Sequence, residues 1–363
     1  MVRSTGAAHG RRYGRGMEWR QAREFLTGNR HELGQMASRL YPDVPTVEGT
    51  PLLARPEWLP DTPLPLDALR LQWNQHPEPP AVADPRDGLP DGFRTYAEAW
   101  QALAPPKVFE DRPSYRLLDA DLTTVAPTLS LGPSHYFAAV NVGEAVAHEL
   151  AAASNTVALD TVAFTALSNT GALPLRQRVG DPCDLSRRTA LPAITTLTVT
   201  KSGSYVLHWR DPEKVAHAGG LHQVMPVGVF QPLVDERADL DLWRCMVREF
   251  SEELLGTDED YGPGFVQEDW PFHQALSAAR DEGRIAVHCL GLGVDPLTLA
   301  LDVLTVAVFD DAAFDDLFEG LVDVNAEGRV ALAPFDGTVP APAQPAGAAA
   351  LRLAWRHRAA LLR

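Results

Sequence analysis

A chain of 363 residues is long enough for two domains or for one large domain with additions, and its 45% hydrophobic content is ordinary for a folded globular protein. A formal charge of −16 argues against a nucleic-acid partner, because an acidic body repels a polyanion. No apolar run reaches the roughly 18 residues that span a bilayer, and the basic start lacks the apolar stretch of a secretory signal, so a cytoplasmic protein with no membrane partner is expected.

The charge is unevenly spread: residues 1–40 hold eight Arg against three Glu, which leaves the rest of the chain the more acidic. Residues 1–16 read as a disordered basic tail. From Glu18 to Tyr41 apolar residues recur at helical spacing, at Trp19, Ala22, Phe25, Leu26, Leu33, Met36, Ala37 and Leu40, with a break at Thr27-Gly28-Asn29. Residues 42–92 are dense in proline, which removes backbone donors and disfavours helix and central strand, so an extended wrap or linker is expected, pinned at Trp58 and Trp73. Three widely spaced cysteines, Cys183, Cys245 and Cys289, fit reduced, packed thiols better than a disulfide framework or a zinc site.

Regular structure is predicted from about residue 94. The segment 93–103 reads as a helix, 114–122 and 128–132 as strands, and 142–154 as a helix. His148, in AHEL, lacks the second histidine of a zinc helix and is expected at the surface or a boundary. Residues 195–210 alternate as a hairpin whose turn is Lys201-Ser202-Gly203-Ser204. A glycine-rich loop and strand follow (218–230), then a helix over 244–256 and another over 269–283. Two strongly apolar strands flank Asp295-Pro296, and a helix (312–322), a strand (329–335) and a closing helix (347–362) complete the chain. The glycines of Gly291-Leu292-Gly293 do not open a dinucleotide site, because Pro296 interrupts the pattern and no helix follows.

The chemistry lies in RCMVREFSEELLG, residues 244–256. On a helix Trp243, Val247, Phe250 and Leu254 make an apolar stripe, and Glu249, Glu252 and Glu253 fall on an adjoining one. Arg248 stands one turn from Glu252, where an ion pair is available. Three neighbouring carboxylates raise one another's pKa unless a cation relieves them, so the face is either a divalent-metal site or a solvated helix surface.

Arg210 ending the hairpin, the loop with Pro226 and Gly228, and then Arg-Glu-Phe-Ser-Glu-Glu together resemble the Nudix hydrolase superfamily, whose box runs G-x5-E-x7-R-E-U-x-E-E-x-G-U with U aliphatic. The resemblance implies an α/β fold with a mixed sheet sandwiched between helices over residues 191–363, preceded by the tail (1–16), a helical and proline-rich accessory region (17–92) and an α/β accessory region (93–190). It implies Glu249, Glu252 and Glu253 as ligands of Mg²⁺ or Mn²⁺ and as catalytic groups, Arg248 as the arginine that orders the loop through them, and Gly228 as the loop glycine. Arg210 is a candidate phosphate contact, and Lys214, His217 and His222 lie in the same region. The pattern departs in three places: nineteen residues separate Gly228 from Arg248 where the family has thirteen, Leu240 stands at the loop glutamate between Asp239 and Asp241, and Leu255 is added before Gly256. Two functions follow from the resemblance: metal-dependent hydrolysis of a nucleoside-diphosphate-type substrate, or a catalytically silent domain that binds a nucleotide-like metabolite as a sensor. A structural protein with no ligand is the third reading. Dimers are common in that family, which makes a homodimer one expectation.

Overall fold

The computed structural model describes residues 18–106, 109–154, 171–211, 219–258, 261–262, 264–325 and 328–363. The tail expected over 1–16 lies outside them, as do Lys214 and His217. The fold is mixed α/β. Its strands are β1 (Leu64–Pro65), β2 (Arg70–Trp73), β3 (Pro113–Asp121), β4 (Thr128–His135), β5 (Pro192–Thr200), β6 (Ser204–Arg210), β7 (His222–Val224), β8 (Val227–Val229), β9 (Ile285–Val294), β10 (Leu301–Phe309) and β11 (Gly328–Pro334). Among the described residues, no helix is long and apolar enough to cross a membrane.

The larger sheet runs β1-β9-β10-β5-β6-β11, with β7 added on β6 and β8 on β5. It is mixed: β10 pairs parallel to β5 from Leu301 opposite Pro192 to Phe309 opposite Thr200, while β9 pairs antiparallel to β10. Strands β9 and β10 read as strongly apolar, broken by few polar residues such as His288 and Asp302, because helices cover this part of the sheet. The C-terminal helix Pro345–Arg356 packs on β5, β7, β9 and β10, and the helix Leu242–Glu249 packs on β8 and β5. Side chains alternate along a strand. Ile194 and its register partner Gly228 therefore face the second of these helices, and Ala193, Val229 and Asp302 face the other way.

The proline-rich segment is a wrap built into the sheet edge. Leu53 and Val294 exchange backbone hydrogen bonds at 2.9 and 2.7 Å, and β1 pairs with β9. This contact explains Gly291 and Gly293. A Cβ on Gly293 would stand 2.2 Å from Leu52 Cδ2, and one on Gly291 would stand 2.8 Å from Leu59 Cδ2, so both glycines let the wrap lie on the strand. Trp58 is fully buried there, whereas Trp73 is half-buried at the end of β2.

A smaller sheet, β2-β4-β3, leads directly into the long helix Tyr136–Ser154. The predicted strand at 128–132 is longer, and the helix predicted from 142 begins at Tyr136. Its early turns hold Tyr136 and Phe137, which alone carry no helical pattern. One hydrophobic core runs from Trp19 and Trp100 through Tyr115 to Phe309 and Leu353, without a break near residue 190.

His148 is buried, a correction to its expected boundary position. It stacks on Trp19 at 4.7 Å, and its Nδ1 lies 3.0 Å from the Tyr96 hydroxyl. The Tyr96 oxygen also accepts from Arg23 at 3.3 Å. Burial, with Arg23 adding to it, pushes His148 down to about 3.

Candidate functional site

The helix Leu242–Glu249 starts where Asp241 Oδ1 accepts the Arg244 N–H at 3.0 Å. It continues as a π-turn over Phe250–Leu254 and ends at Gly256, whose φ is 67°. A π-turn takes one more residue than an α-turn, so the added Leu255 is absorbed inside the helix. Trp243, Val247, Phe250 and Leu254 are buried, as the apolar stripe predicts, and Cys245 and Met246 are buried beside them.

All three glutamates are half-buried, and each has a different neighbour. Glu253 Oε2 accepts the backbone N–H of Val227 at 3.0 Å. Glu252 Oε1 accepts the Tyr261 hydroxyl at 2.6 Å, and burial together with this carboxylate raises the Tyr261 phenol far above its ordinary value. Glu249 lies over Gly228, where a Cβ would stand 1.8 Å from its Cδ. Gly228 is thus required by the close approach of a carboxylate to the strand.

Arg248 is 3% exposed and does brace the loop, but not through the glutamates as expected. Its guanidinium donates to the Gln231 carbonyl and to Gln267 Oε1, both at 3.0 Å, and it makes no ion pair with Glu252 among the described residues. Gln267 in turn donates to the Arg244 carbonyl at 2.8 Å, which ties the loop to the helix start.

The lengthened loop carries its own support. Buried Asp239 accepts the backbone N–H groups of Leu233, Val234 and Asp235 at 2.8 to 3.0 Å, and Arg244 pairs with it at 3.3 Å. Asp239 holds the loop and Asp241 caps the helix, so both aspartates that flank Leu240 are committed to backbone. Leu240 itself packs on the core. Among the described residues, no group of three or more His, Cys, Asp or Glu side chains is placed to hold a metal ion.

A cavity of about 340 Å³ lies on the other side of β8. Its floor is the sheet face that carries Ala193, Val229 and Asp302, and the backbone of Gly228 forms part of one wall. The helices Arg30–Ser38 and Tyr136–Ser154 from the N-terminal half close it opposite the sheet, through residues such as Arg30, Tyr136 and Gly143. Gly143 allows this closure, since a Cβ there would meet the Thr298 carbonyl oxygen at 2.3 Å. Arg210, half-buried at the end of β6, also lines the cavity. The structure thus brings Arg210 and Gly228 to one space and sets the glutamates beyond the strand from it. His222 is held elsewhere, its Nδ1 3.1 Å from the Pro342 carbonyl.

Two buried groups in the cavity wall have no motif in the sequence. Asp302 receives the Thr195 hydroxyl at 2.7 Å, and burial pushes its carboxyl up to about 7. The signal available was a lone acid inside the otherwise apolar 297–309 strand. Arg188, in Ser186-Arg187-Arg188-Thr189, gave no signal. It is 1% exposed.

No known family model matches this chain, and a search of curated proteins finds no significant match.

Proposed function

We propose that this chain is a Nudix-like protein that binds a small nucleotide-like metabolite in the cavity between its N-terminal helices and its mixed sheet, and acts as a sensor rather than as a hydrolase. The single observation that carries this reading is the separation of parts. The cavity has a volume in the range of small-ligand sites, roughly 300–1,000 Å³, at about 340 Å³. The glutamates lie past β8 and are engaged with Val227, Gly228 and Tyr261. The likeness to the Nudix superfamily is supported by the glycine set against a helix glutamate, by the helix arginine bound to the loop, and by the order of hairpin, loop and helix.

A test is native mass spectrometry of the full chain with a panel of nucleotides and nucleotide sugars, repeated on Ala193→Phe. Ala193 lies on the cavity floor, so a phenylalanine there fills the space. Retained binding by wild type and its loss in the folded variant supports the cavity as the site. Equal binding by both removes it.

Metal-dependent hydrolysis by Glu249, Glu252 and Glu253 is the second reading. It is favoured by the half-buried carboxylates that flank Val227 and Gly228. It requires Tyr261 and Val227 to release their glutamates so that the three converge.

A further inference from the structure

Arg188 and Arg116 are buried cations whose hydrogen bonds go to neutral oxygens. Arg188 is 1% exposed and Arg116 is 6% exposed. The Arg188 guanidinium donates to the Pro182 carbonyl at 3.0 Å and more weakly to that of Thr189 at 3.5 Å. Arg116 donates to the carbonyls of Glu78 at 2.9 Å and Leu185 at 3.4 Å. All four acceptors are neutral. Among the described residues, neither guanidinium has a carboxylate within ion-pair distance, and the buried Nε of each has no hydrogen-bond partner.

Burial weighs on both guanidiniums. Burial lowers the pKa of Arg188 to about 10, and nearby Arg116 pushes in the same direction. An uncompensated buried ion costs several kcal/mol, and a second like charge beside it adds to the cost. Arg23 and Arg30, also buried, both meet Glu144, whereas Arg176 and Arg248 donate to neutral oxygens as Arg188 and Arg116 do. Arg116 and Arg188 differ from these in standing near each other, so that two such cations share one place. Arg188 lines the cavity between the helices and the sheet, Arg116 lines a larger one of about 510 Å³ beside it, and Thr189 lines both.

We propose that Arg188, with Arg116 behind it, is the subsite that takes a phosphoryl group of the bound metabolite. This rests on the cavity being the binding site and adds which end of the ligand is held where. A phosphoryl group supplies the missing negative charge and acceptors for the unused Nε–H, and the planar guanidinium matches its oxygens. The ligand then reaches from this inner wall toward the sheet floor at Ala193 and Asp302.

The experiment is titration of the full chain with sodium pyrophosphate, followed by thermal unfolding and calorimetry, with a nucleoside that lacks phosphate in a parallel arm. The expected result is saturable stabilisation by pyrophosphate that weakens at least tenfold in Arg188→Gln and Arg116→Gln, while nucleoside binding is unchanged in both. A nucleoside that binds wild type with no pyrophosphate response overturns the subsite and leaves the cavity reading intact. No binding in either arm overturns both. A pyrophosphate response that persists in the folded variants also overturns the subsite. Should either variant fail to fold, selenate soaked into wild-type crystals decides: an anomalous peak within hydrogen-bond distance of Arg188 Nε supports the assignment, and peaks only elsewhere overturn it.

Discussion

The backbone N–H of Val227 donates to Oε2 of Glu253 at 3.0 Å, joining residues that are 26 apart in sequence. That bond ties β8 to the far end of the glutamate helix. It gives at least one of the three carboxylates a structural task that needs no cation. A hydrogen bond to a charged acceptor contributes about 1.5–3 kcal/mol. Glu253→Ala is expected to lower the unfolding free energy by about 1–2 kcal/mol, and Glu253→Gln, which keeps an acceptor oxygen, by less than half as much. Urea denaturation of both variants checks this.

Asp239 is the stronger support of the same loop, since three backbone N–H groups and Arg244 all converge on it. Removing a buried acceptor leaves each donor with its desolvation cost. Asp239→Ala is expected to cost about 3–4 kcal/mol and Asp239→Asn about 1–2 kcal/mol, read from denaturant midpoints. Equal, small losses would mean that solvent serves these donors.

Gly228 and Glu249 form a testable pair. A Cβ at residue 228 would stand 1.8 Å from Glu249 Cδ, so Gly228→Ala forces the carboxylate away. The cost is expected at about 1–2 kcal/mol. In a Glu249→Ala background the same glycine substitution should cost less than half of that, because the obstructing carboxylate is gone. Full additivity in the double-mutant cycle would show that the two positions do not interact.

Two buried groups give opposite pH dependences. The His148 pKa falls to about 3 in the folded chain, against an ordinary value of about 6.5. Below that ordinary value the unfolded chain takes up a proton and the folded chain does not. Its contribution is therefore present above about pH 6.5 and lost as pH falls toward 3, by about 1.4 kcal/mol per unit. The Asp302 carboxyl is raised to about 7 in the folded chain, against about 3.9 unfolded. Its contribution is present below about pH 4 and lost as pH rises through 7. Between about pH 4 and 6.5 the two slopes oppose each other. Asp302→Asn is expected to be more stable than wild type at pH 8.5, by about 2–4 kcal/mol, and no more stable at pH 4. Denaturation at the two pH values checks this.

The parts of the fold that sequence exposed were those with a strong period. The apolar stripe of the glutamate helix, the two strongly apolar strands around Asp295-Pro296, and the hairpin at 195–210 all stand where their patterns put them. The π-turn was legible only as an excess residue, because adding Leu255 does not say which turn widens. His148 read as a surface or boundary residue because AHEL lacks the second histidine of a zinc helix, and its mostly alanine neighbours mark no buried face. The cavity was not legible: its walls come from the helices Arg30–Ser38 and Tyr136–Ser154, from strands of the sheet, and from the loop at 295–300, and no local spacing links them. Arg188 was hidden for the same reason. A buried charge is recognised by what surrounds it, and its surroundings are distant in sequence.

The separation between a binding cavity and committed glutamates is tested most directly by phosphorus NMR of the full chain with Mg²⁺ or Mn²⁺ and a panel of dinucleoside and nucleotide-sugar diphosphates. The result expected is a shifted or broadened ligand signal with no product resonances over hours. Product resonances that grow with wild type and vanish with both Glu252→Gln and Glu253→Gln would contradict it and establish hydrolysis.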